Sequence, residues 1–231
     1  MHAEIAELDW PADLLDDEEQ DEPLAGQDHH DTIDNLHYPL RTRLSGPACF
    51  VAAELRVHRN PRNLRDYQEP DILVAFGVPD RTRRRYLLWE ERKAPDLVVE
   101  ILSPSSLKNG DLTKKRDWYQ AEGVREYVVL DPSGDFAPEP RMQVWRFADL
   151  ASPGSGGAEH VVPAEGTTLA SVLIPFGWRI HEGVARAVDL HTNEVFPILW
   201  DLEPQLRAEI RTRRAAETEA RLAREEAWLA E

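Results

Sequence analysis

The chain has 231 residues, of which 42% are hydrophobic, and this allows one substantial hydrophobic core with extensions. Its single cysteine, Cys49, excludes an intrachain disulfide, and no apolar run is long enough to span a bilayer, so we expect a cytoplasmic protein without a membrane partner. The formal net charge of −16 argues at first against a polyanionic partner.

The acidic charge is concentrated at the amino terminus. Residues 1–35 contain thirteen Asp or Glu and no Lys or Arg, whereas residues 36–126 contain 17 bases and 13 acids. The high charge of residues 1–27 and their lack of aromatic clusters predict a disordered acidic leader. This leader acts either as a solubility tail or as an intramolecular competitor for a basic surface.

Arginines recur through the first part of the central segment. If they flank a site, they are candidate phosphate contacts that position a nucleic acid without reading its sequence, and the alternative is a set of solvated loop tips. The candidates are Arg56, Arg59, Arg62, Arg65, Arg83, Arg84 and Arg85.

The first informative strand is EPDILVAFGV, residues 69–78. Asp71 follows a proline and opens the apolar run. An aspartate after proline often only caps a turn. The alternative is that Asp71 lies beside an acidic residue on a neighbouring strand.

The next stretch, residues 96–131, places Glu100 inside the apolar run LVVEIL. A buried carboxylate needs a metal, a cation or several donors, or else its pKa rises until it is neutral. A helical segment ending at Gly123 and a second strand, EYVVL, complete a strand–helix–strand crossover that predicts two parallel strands. Glu100 then lies near the carboxyl end of its strand, where open α/β sheets bind ligands.

Three polar residues on the crossover helix share one face because they recur every four positions: Asp111, Lys115 and Tyr119. Taken alone, this pattern also fits a solvated Asp–Lys pair on an amphipathic helix. Together with Asp71 and Glu100, a lysine here makes a site for a hard divalent cation and a phosphate.

The remainder of the chain changes character. RMQVWRF predicts a strand, SPGSGGAEH predicts a flexible loop, and the sequence from His160 to Phe196 predicts antiparallel strands with turns at residues 182–183 and 192–193. Residues 201–231 are rich in alanine and charge and predict a long helix with a weak coiled-coil pattern. The chain thus divides into a leader at 1–27, a core at 28–200 and a terminal helix.

These motifs resemble the Uma-two family of restriction endonucleases, within the PD-(D/E)XK nuclease superfamily. The resemblance rests on Pro70-Asp71, on VVEILSPSS around Glu100, on the helix residues 111, 115 and 119, and on GVREYVVLDP. It covers roughly residues 20–200 and extends to the charged terminal helix. It implies an α/β fold with a restriction-endonuclease-like central mixed β-sheet flanked by helices, with extra antiparallel strands and a C-terminal helix.

The resemblance also implies roles for these residues. Asp71 and Glu100 match the metal-binding acidic positions, with the backbone carbonyl of Ile101 as a further ligand for Mg²⁺ or Mn²⁺. Lys115 matches the family's lysine, which lies on the helix, whereas the superfamily pattern places it two residues after the acid, where this chain has Leu102. Asp111 and Tyr119 would support the site without binding the metal. Near the first helix, Glu22 and either His29 or His30 lie close to the family's acidic and histidine positions.

The expected activity is therefore Mg²⁺-dependent hydrolysis of phosphodiester bonds in DNA by a homodimer. Two alternatives come from other classes of protein. One is a non-catalytic interaction protein on an inherited nuclease fold, and the other is a nucleic-acid-binding module that has lost cleavage.

Overall fold

The computed structural model describes residues 26–103, 111–136, 140–147 and 157–229, with side chains described for all of these except Asp111, Leu199 and residues 222–229. Nearly all of the predicted acidic leader, residues 1–25, lies outside this part of the chain.

A mixed six-stranded sheet forms the centre of the described chain, in the order β1-β4-β6-β7-β8-β9. Strands β6 and β7 are parallel, and every other neighbouring pair is antiparallel. Two three-stranded sheets flank it, in the orders β10-β11-β12 and β3-β2-β5. The strands are β1 Cys49–Ala53, β2 Val57–His58, β3 Tyr67–Gln68, β4 Ile72–Phe76, β5 Tyr86–Leu87, β6 Leu97–Ile101, β7 Glu126–Leu130, β8 Met142–Phe147, β9 Ala158–Val161, β10 Leu169–Ala170, β11 Phe176–His181 and β12 Val184–Asp189.

Four helices accompany these strands in the described ranges: α1 Gln27–Leu44, α2 Leu88–Glu91, α3 Asp111–Glu122 and α4 Leu199–Leu229. Side chains alternate between the two faces of the central sheet, so each face has its own apolar cluster. One face packs Val74 and Val99 with Leu36 of α1 and with Trp178 of β11. The other face packs residues such as Val98 with Tyr119 of α3.

The predicted crossover is formed by β6, α3 and β7. Both strands are fully buried apolar runs, as expected for strands covered on both faces. Gly123 follows the last residue of α3 with a φ of 90°, a left-handed conformation that glycine adopts without the penalty of a side chain. The predicted α/β fold with a central mixed sheet, added antiparallel strands and a C-terminal helix is confirmed.

The predicted loop over residues 152–160 is wrong at its end. Ala158–Val161 form β9, which pairs antiparallel with β8 at the edge of the central sheet. The His160 ring stacks on Trp145 with centroids 4.6 Å apart, so cross-strand packing outweighs the local composition. Among the helices of the described ranges, none is both long and apolar enough to cross a membrane.

Candidate active site

The register of β4 and β6 brings two carboxylates to one edge of the central sheet. Ile72 pairs with Val99, so the same antiparallel register places Asp71 opposite Glu100. The backbone N–H of Ile101 donates a hydrogen bond to Asp71 Oδ2 at 2.6 Å. Asp71 is therefore attached to the strand that carries Glu100 and does more than cap a turn.

Glu100 is held by two residues of α3. Lys115 Nζ donates to Glu100 Oε2 at 2.9 Å, and the Tyr119 hydroxyl donates to Glu100 Oε1 at 2.9 Å. Residues four apart lie on one face of a helix, which is why both reach the same carboxylate. The neighbouring Lys114 is exposed on another face. Asp111 is the first residue of α3, and its side chain lies outside the described positions.

A histidine from α1 completes the cluster. His29 Nε2 lies 3.3 Å from Asp71 Oδ1, and its side chain is only 12% exposed. His30 points elsewhere and lies 3.4 Å from Glu54, with both side chains about half exposed. The structure thus separates two adjacent histidines that the sequence left equivalent. Glu22 lies outside the described residues.

A family model described as "Uma2: Putative restriction endonuclease" matches residues 4–146, which is more than half of the chain and includes Asp71, Glu100 and Lys115. The chain belongs to the Uma2 family.

The Uma2 match ends within β8, so β9 to β12 and α4 lie beyond it. No curated protein matches the chain. Among solved structures, the chain is similar to "a putative nuclease belonging to DUF820" from Anabaena variabilis, with 18% identity, a TM-score of 0.40, and 64% of this chain and 74% of that chain covered.

Burial dominates the electrostatics of this Uma2 site. Burial and the charge of Asp71 together raise the pKa of Glu100 to about 7, against the opposing influence of Lys115 and Tyr119. Burial and the Glu100 carboxylate also raise the pKa of Tyr119, so its hydroxyl stays a neutral hydrogen-bond donor. Near neutral pH, the positive charge within the cluster is therefore too small to keep both carboxylates fully ionised.

The pKa of His29 reflects opposing influences. Burial lowers it, but the hydrogen bond to Asp71 and the charges of Asp71, Glu54 and Glu100 raise it by more, so the net shift is upward from 6.5. The histidine is thus a partial counter-charge for Asp71. A divalent cation at the same carboxylate would compete with this proton.

The donor set fits a hard cation with few protein ligands. Among the described residues, no group of three or more His, Cys, Asp or Glu is arranged to hold a metal ion. Asp71 and Glu100 offer carboxylate oxygens that already accept hydrogen bonds but have lone pairs left over. Mg²⁺ commonly binds through one or two carboxylates and keeps waters or substrate phosphates as its other ligands.

The candidate arginines fall into two groups. Arg83 is only 3% exposed, donates to both oxygens of Glu91 at 2.7 and 3.2 Å, and stacks over Phe50. A buried bidentate ion pair therefore holds the guanidinium of Arg83, which sets this candidate phosphate contact apart from the exposed arginines. Arg56 and Arg59 make ion pairs with acidic residues closer to the surface.

The remaining arginines have exposed side chains and make no ion pair with any residue in the described ranges: Arg62, Arg65, Arg84 and Arg85. The first two follow Asn60 and Asn63, whose side chains accept backbone N–H hydrogen bonds from them. These turns order the loop, and the guanidinium groups of Arg62 and Arg65 stay exposed to solvent.

Sequence reasoning missed the wall of a cleft beside the carboxylates. Asn35 of α1 and Trp200 of α4 line it, together with His29 and Ile101. Neither Asn35 nor Trp200 belongs to a motif, and the two come from opposite ends of the described chain. A weak signal existed only for Asn35, a polar residue directly before the apolar Leu36 on a helix that packs against the sheet.

Proposed function

We propose that this chain is a divalent-metal-dependent endonuclease that hydrolyses phosphodiester bonds in DNA. The observation that carries the proposal is the convergence of Asp71, Glu100 and Lys115 at one sheet edge, where the lysine lies 2.9 Å from the buried glutamate. Membership of the Uma2 family supports a nuclease as the class of enzyme.

Asp71 and Glu100 would hold Mg²⁺ or Mn²⁺, with the carbonyl of Ile101 as a further ligand. The metal would supply Lewis-acid stabilisation of phosphoryl charge and lower the pKa of a bound water. The raised pKa of Glu100 supports this assignment, because a buried site short of positive charge favours a cation.

Lys115 acts in the proposed reaction as a cation next to the scissile phosphate. Its ammonium stabilises the charge that develops on the phosphoryl oxygens or orients the attacking water. Tyr119 fixes the second oxygen of Glu100, and the Ile101 N–H fixes one oxygen of Asp71. Both carboxylates are therefore positioned before substrate arrives, which reduces the reorganisation needed in the transition state.

The exposed arginines Arg62, Arg65, Arg84 and Arg85 would contact the phosphate backbone. The acidic leader, residues 1–27, would compete with DNA for this surface or serve only as a solubility tail. One site of this kind cuts one strand, so double-strand cleavage calls for a homodimer. Helix α4 offers an apolar stripe for self-association that includes Leu206 and Ile210, which are 57% and 42% exposed.

A nuclease assay with purified full-length protein tests the proposal. Supercoiled plasmid, linear duplex, single-stranded DNA and RNA are incubated with Mg²⁺, Mn²⁺ or EDTA. We expect DNA cleavage with either metal and none in EDTA. Salt-sensitive DNA binding without turnover in any metal would favour a binding module, and the absence of both would favour a non-catalytic interaction protein.

A further inference from the structure

A cleft of about 460 Å³ opens beside His29 and Ile101, two residues that contact Asp71. Its wall is assembled from the start of α1, the end of β6, the loop after β7, the β11–β12 turn and the start of α4. His29 and Ile101 contribute to this wall and also contact Asp71. A group bound in the cleft would therefore lie next to a phosphate held at the carboxylates.

The walls of the cleft suit a flat, partly apolar group. Trp200, Phe136 and Ile198 contribute apolar surface, and the Trp200 side chain is 59% exposed. The volume falls within the range of roughly 300–1,000 Å³ typical of sites for small organic groups. An exposed indole at the mouth of such a cleft offers a stacking platform for a base.

The polar groups of the cleft favour a ligand that donates hydrogen bonds. Asn35 is only 8% exposed, lines the cleft, and makes no side-chain hydrogen bond to any residue in the described ranges. Its amide faces the cleft, so a bound ligand can exchange hydrogen bonds with it. Asp28, Asp31 and Asp135 also line the cleft, and none of the described residues that line it is a lysine or an arginine.

We propose that this cleft receives an unpaired nucleobase of the DNA substrate, next to the phosphodiester at Asp71, Glu100 and Lys115. The inference rests on the proposed function and makes it more specific. The carboxylates in the wall repel phosphate, so the backbone stays outside and only the base enters. A base inside a duplex cannot reach such a cleft, so the substrate is single-stranded or locally unpaired DNA.

The same polar groups select among bases. Carboxylate oxygens and the amide oxygen of Asn35 accept hydrogen bonds, and the exocyclic amino groups of cytosine, adenine and guanine donate them. Thymine has no exocyclic amino group. The cleft therefore prefers cytosine, adenine or guanine to thymine at the bound position.

The test measures binding of dye-labelled single-stranded oligonucleotides to the full-length protein in EDTA by fluorescence anisotropy, so that cleavage plays no part. Oligo-dC and oligo-dT of equal length are compared for wild type, Trp200→Ala and Asn35→Leu. Tyr38→Ala is the matched control, because Tyr38 also lies on α1, is 67% exposed, and does not line the cleft.

We expect wild type to bind oligo-dC more tightly than oligo-dT. Trp200→Ala should weaken both by about fivefold or more through lost stacking. Asn35→Leu should bring the ratio of the two affinities close to one, and Tyr38→Ala should change neither. Trp200 is exposed, so its substitution reports on the cleft even if Asn35→Leu fails to fold.

Equal affinity for oligo-dC and oligo-dT, together with unchanged binding by Trp200→Ala, would overturn the inference even if the protein cleaves DNA. Conversely, cleft-dependent binding without metal-dependent turnover would contradict the proposed nuclease function and leave the base site standing. The two proposals therefore fail in different measurements.

Discussion

Lys115 Nζ lies 2.9 Å from Glu100 Oε2, although the two residues come from different elements, and the Glu100 side chain is only 5% exposed. A lysine in this position stabilises the ionised glutamate, and it also places a positive charge beside the space that a phosphate would occupy. Lys114, one residue earlier, is exposed on another side of the same helix.

This relationship predicts different outcomes for two adjacent lysines. Lys115→Ala should lower the single-turnover rate of cleavage by about a hundredfold or more, with little change in DNA affinity, because the ammonium acts mainly in the transition state. Lys114→Ala is the matched control and should cleave at close to the wild-type rate. A larger loss in Lys114→Ala would mean that the register of α3 is wrong.

Glu100 predicts a pH dependence of stability in the metal-free protein. Its pKa in the folded chain is about 7, above the ordinary value of 4.5, so the folded state binds the proton more tightly than the unfolded state. The free energy of unfolding of wild type relative to Glu100→Gln should therefore fall as the pH rises from about 4.5 to about 7. Urea unfolding in EDTA at a series of pH values checks this, and parallel profiles for the two proteins would refute the assignment.

His29 predicts a pH dependence of stability in the same direction at the neighbouring carboxylate. Burial lowers its pKa, but the hydrogen bond to Asp71 and the charges of Asp71, Glu54 and Glu100 together raise it by more, so the net shift is upward from 6.5. The contribution of His29 to stability is thus fully present below pH 6.5 and is lost as the pH rises through its raised folded pKa.

The difference in unfolding free energy between wild type and His29→Ala should therefore be largest in mildly acidic buffer and shrink in alkaline buffer. His30→Ala is the control and should show little of this dependence, since His30 and Glu54 are both about half exposed. A pH-independent difference for His29→Ala would mean that the ring contributes by packing alone.

Substitutions of the arginines should have two different effects, on DNA binding or on thermal stability. Alanine at Arg62, Arg65, Arg84 or Arg85 should weaken DNA binding and lower the slope of log affinity against log salt by about one for each lost phosphate contact. Arg83→Ala should instead lower thermal stability, because it leaves Glu91 without its bidentate partner. Binding isotherms at several salt concentrations, beside thermal melts, separate the two. An unchanged salt slope in all four exposed variants would place the DNA on another surface.

Local patterns are sufficient to predict the strands and the helix that carry the carboxylates and the lysine. Fully buried strands have continuous apolar runs, so Glu100 is conspicuous within β6. The four-residue spacing from Asp111 to Tyr119 selects Lys115 over Lys114, because only the former lies on their shared helical face. The confirmed α/β fold follows from the same runs, since a strand–helix–strand unit of this length predicts a parallel pair.

Long-range packing decides what the sequence leaves open. His29 and His30 have the same local context, and only the approach of α1 to β4 determines which ring meets Asp71. In the sequence, Arg83 is indistinguishable from the neighbouring arginines. In the folded chain, its guanidinium pairs with Glu91 and stacks over Phe50. Residues 158–161 form a strand because β8 offers an edge with which they can pair. Each of these outcomes depends on residues distant in sequence, which local propensity does not report.

The most direct test is the Mg²⁺-dependent single-turnover rate of DNA cleavage by wild type, Asp71→Asn and Glu100→Gln. Both substitutions keep the size of the side chain while removing a charge from the shared cation site. If both carboxylates hold one ion, each variant should cleave about a thousandfold more slowly or worse, because several kcal/mol of charge stabilisation are lost. Glu100→Gln should not melt at a lower temperature than wild type in EDTA at neutral pH. Wild-type cleavage rates in either variant would contradict the assignment of Asp71 and Glu100 to a common metal.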